Sequence, residues 1–481
     1  MSILTTNRNV ISSSDAYKFS HPFMISKDVV GLTSYIEARH GWADEIVFFG
    51  LQAYIREYLS KPITAEDVLR EERKAKAALI PFHKEMWMHV VNKYNGFLPV
   101  RIQALPEGSI VKYGVPVAQI TSMDETYPGI ISVIETSLLR AIWYPSSVAT
   151  LSREIKKNLK KFIEMSSDLE PSVILPTMLN DFGARGASSG EAASIGGLAH
   201  LINFIGSDTI EAIDAAEIYY DHDCDRDGPV LISVPASEHS VTTIDGELGE
   251  KNFVSNIIDT FTDMKFPIIS IVADSYDMDR FVTEYIGTDL KEKIEARDGW
   301  IVVRPDSGQP EYIVPRVLKQ LYDKFGGSVN SKGFVVLNPK VRVIQGDGIN
   351  FESINSILGE ILDAGFSVEN VVFGMGGQLL QSVMRDDHSW AMKTNAVKKI
   401  GGEWEDVQKK PKTDMSKASK AGRQAVVHYN GEYHAMREDT FIQSLKEGFS
   451  HAPTNHLQEV WNTGNVLRVQ TFVDVRKNAE I

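Results

Sequence analysis

The chain has 481 residues, 43% of them hydrophobic, and a formal net charge of −14. That is enough apolar material for two or three domains, and an acidic surface of this kind repels nucleic acid and anionic membranes, so a phosphate ligand must be held by local basic groups and backbone N–H donors. Cys224 is the single cysteine, which excludes an intrachain disulfide and fits a reducing compartment. No run of apolar residues is long enough to span a bilayer, and the opening MSILTTNRNVISSSD lacks a basic segment followed by an apolar one, so a cytoplasmic protein is expected.

The first 150 residues are mixed in texture. IVKYGVPVAQI (110–120) alternates around a Gly-containing turn and reads as antiparallel strand material. ATLSREIKKNLKKFIEM (149–165) reads as a helix, with Leu151, Ile155, Leu159, Phe162 and Ile163 on one face and the lysines on the other. From about residue 174 short apolar runs recur, each closed by Gly or a charged residue: ILPTMLNDFGARG, HLINFIGSD, VLISVPASEH, PIISIVADSYD, WIVVRPDSG, VRVIQGDG, VVFGMGG and SWAMKTN. They repeat about every 30 residues, the length of a βα unit. Eight such units predict an α/β fold with a (β/α)8-like barrel, an open doubly wound sheet being the alternative. HLINFIGSD and SWAMKTN are the weakest members, and the former also reads as a helix end.

After about residue 396 the rhythm stops. Lys393–Arg423 holds nine Lys/Arg against four Asp/Glu, and SKASKAGRQAVVHYNGEYHAM reads as a basic loop leading into a hairpin. In so acidic a chain the loop is either a solvated surface or an anion site. The rhythm therefore bounds a barrel-like segment with catalytic strand ends at 149–395, between a mixed segment, 1–148, and a basic one, 396–481.

Polar residues collect at the carboxyl ends of the predicted strands, which is the catalytic face of a barrel. VADSYD and VVRPDSG place Asp274, Arg304 and Asp306 at neighbouring ends, where the carboxylates suit hydrated Mg²⁺ or ion pairs with arginine. IQGDGIN and FGMGGQ are Gly-rich turns after apolar strands; with Arg385 a little further on they form a candidate phosphomonoester site. NDFGARGASSGEAASIGG sets Phe182 and Arg185 three residues apart on a Gly-bounded turn, and Ser-Ser-Gly-Glu suits a helix start. LISVPASEHS ends an apolar run on Glu238, His239 and Ser240; the ordinary reading is a turn with a satisfied histidine, and the company of the other strand ends favours a site. HDCDRDG (222–228) lacks the paired spacing of a zinc site and reads as a surface loop. No residue is assigned as a metal ligand.

Taken in order, DAYKFSH, SYIEAR, VFFGLQAYI, WYPSSVATLSREIKK, DFGARGASS, GSDT, SVPASEHS, DSYD, RPDSG, RVIQGDG and FGMGGQLLQ make the chain resemble the nicotinamide phosphoribosyltransferases over nearly its whole length. The resemblance implies a type II phosphoribosyltransferase fold, an α/β barrel-like catalytic domain at 149–395 plus an α+β domain formed from both chain ends, 1–148 with 396–481, and transfer of phosphoribose from 5-phosphoribosyl 1-pyrophosphate to nicotinamide, in NAD salvage, by a homodimer with two sites at its interface. It implies that Phe182 and Arg304 sandwich the nicotinamide ring, with Tyr17 of the partner subunit lining the pocket, and that Asp208 accepts a hydrogen bond from the carboxamide. Arg185, Asp274, Asp306 and Arg304 surround the ribose and pyrophosphate, and Ser233 and Ser270 line the channel. Gly346, Asp347, Gly376, Gly377 and Arg385 hold the 5′-phosphate and ribose. Asp15, in the first matched motif, is an implied substrate-binding residue, and Arg39 contributed across the dimer interface, with Lys409 and Lys417 of the basic loop, faces the pyrophosphate or nucleotide phosphates. His239 resembles the histidine that the family phosphorylates with ATP, with Glu238 or another nearby carboxylate setting its tautomer. Mg²⁺ and ATP are the implied cofactor and coupling cosubstrate. Asn180, Ala184 and Gln378 depart from the vertebrate pattern, which affects the pocket walls.

Nicotinamide's ring nitrogen is a free nucleophile at neutral pH and needs positioning rather than a general base. A carboxylate at 208 suits an amide donor and repels nicotinate. The other readings are nicotinate phosphoribosyltransferase on the same fold, a metal-dependent barrel hydrolase using the strand-end carboxylates, and a non-enzymatic binding protein.

Overall fold

The computed structural model describes residues 9–413, 418–447 and 453–480. The chain divides into two compact units. The first comprises the residues up to Thr150 together with Ala215–Asp223 and Met384–Glu480; the second comprises Leu151–Asp214 and Cys224–Val383. Residues 384–395 and the excursion at Ala215–Asp223 therefore fall in the first unit, which spacing along the chain does not reveal.

The first unit is built on a seven-stranded antiparallel sheet. Val29–Glu37 pairs on one side with Ala391–Lys399 and on the other with Ala118–Ser122, which pairs in turn with Val100–Ala104. SWAMKTN is thus not an eighth barrel strand, which corrects the expectation. The reason is visible in its side chains: five of the nine residues of Ala391–Lys399 are partly or fully exposed, whereas parallel barrel strands are buried on both faces. IVKYGVPVAQI does supply antiparallel strands, Ile110–Val111 and Ala118–Ser122, and the basic segment leads into the expected hairpin, Gln424–Tyr429 with Glu432–Arg437. Trp87, Trp390 and Trp461 lie in the core of this unit.

The helix expected at 149–165 is longer, Ile130–Ser166. Its spacing explains both halves. Ile130, Ile134, Leu138 and Ile142 are buried in the first unit, and Ile155, Leu159 and Ile163 are buried in the second.

The second unit holds six parallel strands in the order Gly206–Ser207, Leu179–Asp181, Val371–Met375, Val341–Gln345, Trp300–Arg304, Ile268–Val272. Residues 232–236 touch both edges of this sheet through single parallel bridges, Gly206 to Ile232 and Ala236 to Ser270. Seven chain segments therefore follow one another around the ring, rather than eight strands. LISVPASEHS forms bridges and not a full strand because Pro235 has no N–H to give the ladder; its carbonyl still accepts the Ser270 N–H at 2.9 Å. The helices that follow the strands begin where short polar residues satisfy their first N–H groups: Ser189 caps Gly190–His200, and Asn350 with Ser353 closes a capping box on Phe351–Asp363. HDCDRDG is not a plain loop: Cys224–Asp227 forms one helical turn and His222 is buried.

Candidate active site

The strand ends of the second unit carry the side chains that the sequence singled out. Phe182 follows Leu179–Asp181 and extends the ladder by donating its N–H to Met375 O at 3.0 Å. Its ring lies across the neighbouring strand. A Cβ built on Gly374 would fall 2.0 Å from the ring, and one built on Gly346 would fall 3.4 Å from it and 4.0 Å from Arg304 Cδ. Phe182 from one side and Arg304 from the other thus converge over Gly346. Arg304 Nε is buried without a hydrogen bond and lies 3.8 Å from Asp306 Oδ1. A flat aromatic face and a guanidinium with unspent donors suit a planar heteroaromatic ring.

His239 opens a one-turn helix, His239–Thr242. Its Nε2 is 2.9 Å from Asp274 Oδ1 and its Nδ1 is 3.8 Å from Asp306 Oδ2. The carboxylate that orients the ring is therefore Asp274, not Glu238. Glu238 instead accepts from the Ser240 hydroxyl and lies 3.7 Å from Arg185, and those two partners, Ser240 first, hold its carboxyl below the usual range. Asp274 and Asp306 come from adjacent strands, and the Ala273 N–H donates to Arg304 O between them.

Asp208 accepts the Ser233 hydroxyl on Oδ1 at 2.5 Å. Its backbone N–H donates to Asp181 O at 2.9 Å, which fixes it beside the strand that leads into Phe182. Asp181 itself is fully buried. One oxygen accepts the Gly183 N–H at 2.7 Å. Burial pushes its carboxyl up to about 6, against the hydroxyl of Thr209 and the Gly183 N–H, and the Asp208 charge pushes the same way. Ser270 is buried in its strand, with its backbone paired to 235 and 237. The two Gly-rich turns and the Phe182 turn are neighbours: a Cβ on Gly186 would fall 3.2 Å from Gly377 Cα, and one on Gly376 would fall 3.7 Å from Phe182 O. Asp347 is exposed on the Gly346 turn, and its carbonyl accepts from Gln345 Nε2 at 2.9 Å.

Asp15, Tyr17, Arg39, Arg385 and Lys409 belong to the first unit. Asp15 accepts the Thr136 hydroxyl at 2.6 Å, and Tyr17 is exposed. Arg39 donates its backbone N–H to His388 O at 3.1 Å and its Nε to Ser389 O at 3.4 Å. Arg385, four residues before Ser389, pairs with Asp386 at 2.7 Å. Lys409 is exposed, and its backbone N–H donates to the Ser419 hydroxyl. Lys417 lies outside the described residues.

Residues 177–452, more than half the chain, match the model of the nicotinate phosphoribosyltransferase (NAPRTase) family, and residues 9–102 match that of the nicotinamide phosphoribosyltransferase N-terminal domain. The chain belongs to the nicotinate phosphoribosyltransferase family. Relatives of this phosphoribosyltransferase include the nicotinamide phosphoribosyltransferase of Xanthomonas campestris pv. campestris, 40% identical with 98% of each chain covered, and that of Mycoplasma pneumoniae, 30% identical over 87% of this chain and 96% of the relative. Two solved structures share its fold: nicotinate-nucleotide pyrophosphorylase from Pyrococcus furiosus (TM-score 0.60, 15% identity, 100% and 97% covered) and human nicotinic acid phosphoribosyltransferase (TM-score 0.60, 14% identity, 97% and 92% covered).

Two residues of this phosphoribosyltransferase escaped the sequence reading although their motifs did not. Gly374 lies inside a strand, where a glycine signals close approach of another group. Asp181 ends its strand as the others do, but its burial, unlike theirs, is a tertiary fact. Among the described residues no helix is long and apolar enough to cross a membrane, and no group of three or more His, Cys, Asp or Glu side chains is arranged to hold a metal ion. Asp306 meets its neighbours only at 3.8 Å, so its oxygens retain acceptor capacity of the kind a largely water-coordinated Mg²⁺ uses.

Proposed function

We propose that this chain joins nicotinamide to 5-phosphoribosyl 1-pyrophosphate, giving nicotinamide mononucleotide and pyrophosphate, in NAD salvage. The observation that carries the reading is the convergence of Phe182 and Arg304 over Gly346, together with a carboxylate, Asp208, that is tied through its backbone N–H to Asp181, the residue before Phe182, and has one oxygen already held by Ser233. The relatives named above bear the nicotinamide name throughout.

In this reading the ring of nicotinamide lies between Phe182 and Arg304, and its carboxamide NH2 donates to the oxygen of Asp208 that Ser233 leaves open. The ring nitrogen attacks C1 of the ribose while the bond from C1 to pyrophosphate breaks and its electron pair leaves with the pyrophosphate. The reacting carbon passes through an oxocarbenium-like state, as in glycoside hydrolysis. Positioning supplies most of what the chain itself contributes, since the nucleophile needs no deprotonation. Arg185 and Arg304 stabilise the charge gathering on the leaving group. Asp306 and Asp274 are the residues that would hold Mg²⁺, which when bound neutralises pyrophosphate charge. Gly346, Asp347, Gly376 and Gly377 cradle the 5′-phosphate.

His239 is the site of ATP-dependent phosphorylation in this proposal. With Nε2–H donated to Asp274, the Nδ1 lone pair is the nucleophile toward the γ-phosphorus, and ADP leaves with the bridging electron pair. The enzyme acts as a cytoplasmic homodimer in which Tyr17 and Arg39 serve the partner subunit's site, Asp15 contributes to substrate binding, and Arg385, Lys409 and Lys417 face phosphates.

The test is product analysis with nicotinamide, 5-phosphoribosyl 1-pyrophosphate and Mg²⁺, with and without ATP. Nicotinamide mononucleotide and pyrophosphate in equal amounts are expected, with more product when ATP is present. Turnover of nicotinate in preference to nicotinamide would overturn the substrate assignment, and a phosphate hydrolase activity with no nucleotide product would overturn the reaction.

A further inference from the structure

We infer that Gly374 and Gly346 together set the position and clearance of the aromatic wall, so that the width of the ring-binding slot is fixed by two missing Cβ atoms on the strands beneath it. The inference rests on the nicotinamide reading above and assigns Gly374 as a positioning residue and Gly346 as a specificity-determining one.

The argument begins with strand order. Leu179–Asp181, Val371–Met375, Val341–Gln345 and Trp300–Arg304 are consecutive neighbours in the parallel sheet. Phe182 stands at the end of the first, and Arg304 ends the fourth. For the two side chains to face one another, each must reach inward across a neighbouring strand. Gly374 pairs with Asn180 in the ladder, two residues before Phe182, and lies directly under the ring's path: an added Cβ would fall 2.0 Å from Cε2, 2.2 Å from Cδ2 and 2.8 Å from Cζ. Carbon atoms in contact sit at about 3.5–4.0 Å, so no small adjustment of the ring relieves this overlap. The ring is also hard to move by backbone shift, because the Phe182 N–H is bonded to Met375 O and the following Gly183 N–H to the buried Asp181 carboxylate. Displacement must therefore take the form of a rotation of Phe182 away from the sheet.

Gly346 acts differently. A Cβ there would meet the ring at 3.4 Å and 3.6 Å and Arg304 Cδ at 4.0 Å. It would leave Phe182 where it is and raise the floor between the two walls. The ligand class this defines is a planar, single-ring heteroaromatic lying edge-down on the floor, with its amide directed along the slot toward Asp208. Conformational freedom explains neither glycine, since neither has a positive φ: at Gly374 the fold itself requires the absent side chain, whereas at Gly346 a Cβ would make only ordinary contacts and its absence leaves space above the floor.

The experiment compares wild-type enzyme, Gly374→Ala, Gly346→Ala, Phe182→Ala and the Phe182→Ala/Gly374→Ala double variant. Nicotinamide binding is read by equilibrium dialysis, KM for both substrates and kcat by steady-state kinetics, and folding by circular dichroism. Gly374→Ala is expected to weaken nicotinamide binding and raise its KM about 10-fold, the scale of a core overpacking transmitted to one ring, with the KM for 5-phosphoribosyl 1-pyrophosphate nearly unchanged. Gly346→Ala is expected to raise the nicotinamide KM about 3-fold and to impair larger ring analogues more than nicotinamide. In the Phe182→Ala background Gly374→Ala is expected to have no further effect, because the atom it displaces is gone. Unchanged nicotinamide binding by a folded Gly374→Ala, or equal effects of that substitution with and without Phe182, overturns the inference. If Gly374→Ala does not fold, Gly346→Ala decides: an unchanged nicotinamide KM there overturns it as well. Failure of the wild-type enzyme to bind nicotinamide would instead refute the functional reading on which the inference rests.

Discussion

Replacing Asp208 by Asn tests the substrate assignment most directly. Asp208 accepts a hydrogen bond from Ser233 on Oδ1, so in the proposed complex its other oxygen is the acceptor for the substrate's amide. Nicotinate in the same pose places a second carboxylate there. Two unit charges about 4 Å apart repel by about 1 kcal/mol in water and about 4 kcal/mol at the effective dielectric of a protein surface. Asp208 is exposed, so about 2 kcal/mol is the appropriate figure. Asn removes this repulsion and offers nicotinate a donor, while nicotinamide exchanges a charge-assisted bond for a neutral one at a cost of about 1 kcal/mol. The two changes act in opposite directions on the two substrates and sum to about 3 kcal/mol, or about a 100-fold shift in the nicotinamide-to-nicotinate ratio of kcat/KM. The assay is steady-state kinetics with each substrate at fixed, saturating 5-phosphoribosyl 1-pyrophosphate. A ratio that moves less than about 3-fold would refute the role given to Asp208, since it would mean that neither the charge nor the amide bond contributes in the transition state.

His239→Ala is expected to retain basal transfer and lose ATP stimulation; ATP hydrolysis still coupled to product formation in the variant would exclude the phosphorylation role. Asp274→Asn keeps the shape of the His239 contact but removes its charge, and a reduced ATP stimulation with near-normal KM for nicotinamide is expected. Asp181 has its carboxyl raised to about 6 by burial; its native state therefore holds a proton that the unfolded chain has already lost, and the stability this contributes is full below the unfolded value and falls as pH rises through 6. Between pH 5 and 7.5 the wild type is expected to lose about 1 kcal/mol of unfolding free energy relative to Asp181→Asn in urea titrations, and a parallel pH dependence of the two proteins would contradict this. Glu107 is fully buried in the first unit and accepts the Gly50 and Gln52 N–H groups and the Tyr220 hydroxyl at 2.9, 2.5 and 2.7 Å. Glu107→Ala strands these donors and should cost about 3 kcal/mol or more, seen as a lowered Tm; an unchanged Tm would show that water replaces the carboxylate.

Much of this protein was legible along the chain. Alternating apolar runs with polar ends mark buried strands and their exposed carboxyl termini, because a parallel strand must be apolar throughout and the chain can carry chemistry only where it leaves the sheet. Phe182, Asp208, His239, Asp274, Arg304 and Asp306 were found that way or through the motifs around them. The strand count was not legible. Ala391–Lys399 has the composition of a strand in either sheet, and its partner, Val29–Glu37, lies more than 350 residues earlier, so no local pattern assigns it.

What the sequence by itself determined is the family and which polar side chains stand at the strand ends as candidates, since these follow from residue type and short-range spacing. What the tertiary structure decided is which carboxylate faces which group. Asp274 rather than Glu238 orients His239, and Asp181 is buried and raised while Asp208, its close neighbour, is exposed and free to meet a ligand. The tertiary structure likewise decided that Phe182 crosses a strand over Gly374 to reach the Arg304 side of the slot. Hydrogen bonds and close contacts depend on distances of a few tenths of an ångström between strands that are far apart in the chain, and sequence spacing specifies neither the register that sets those distances nor the burial that sets the charge.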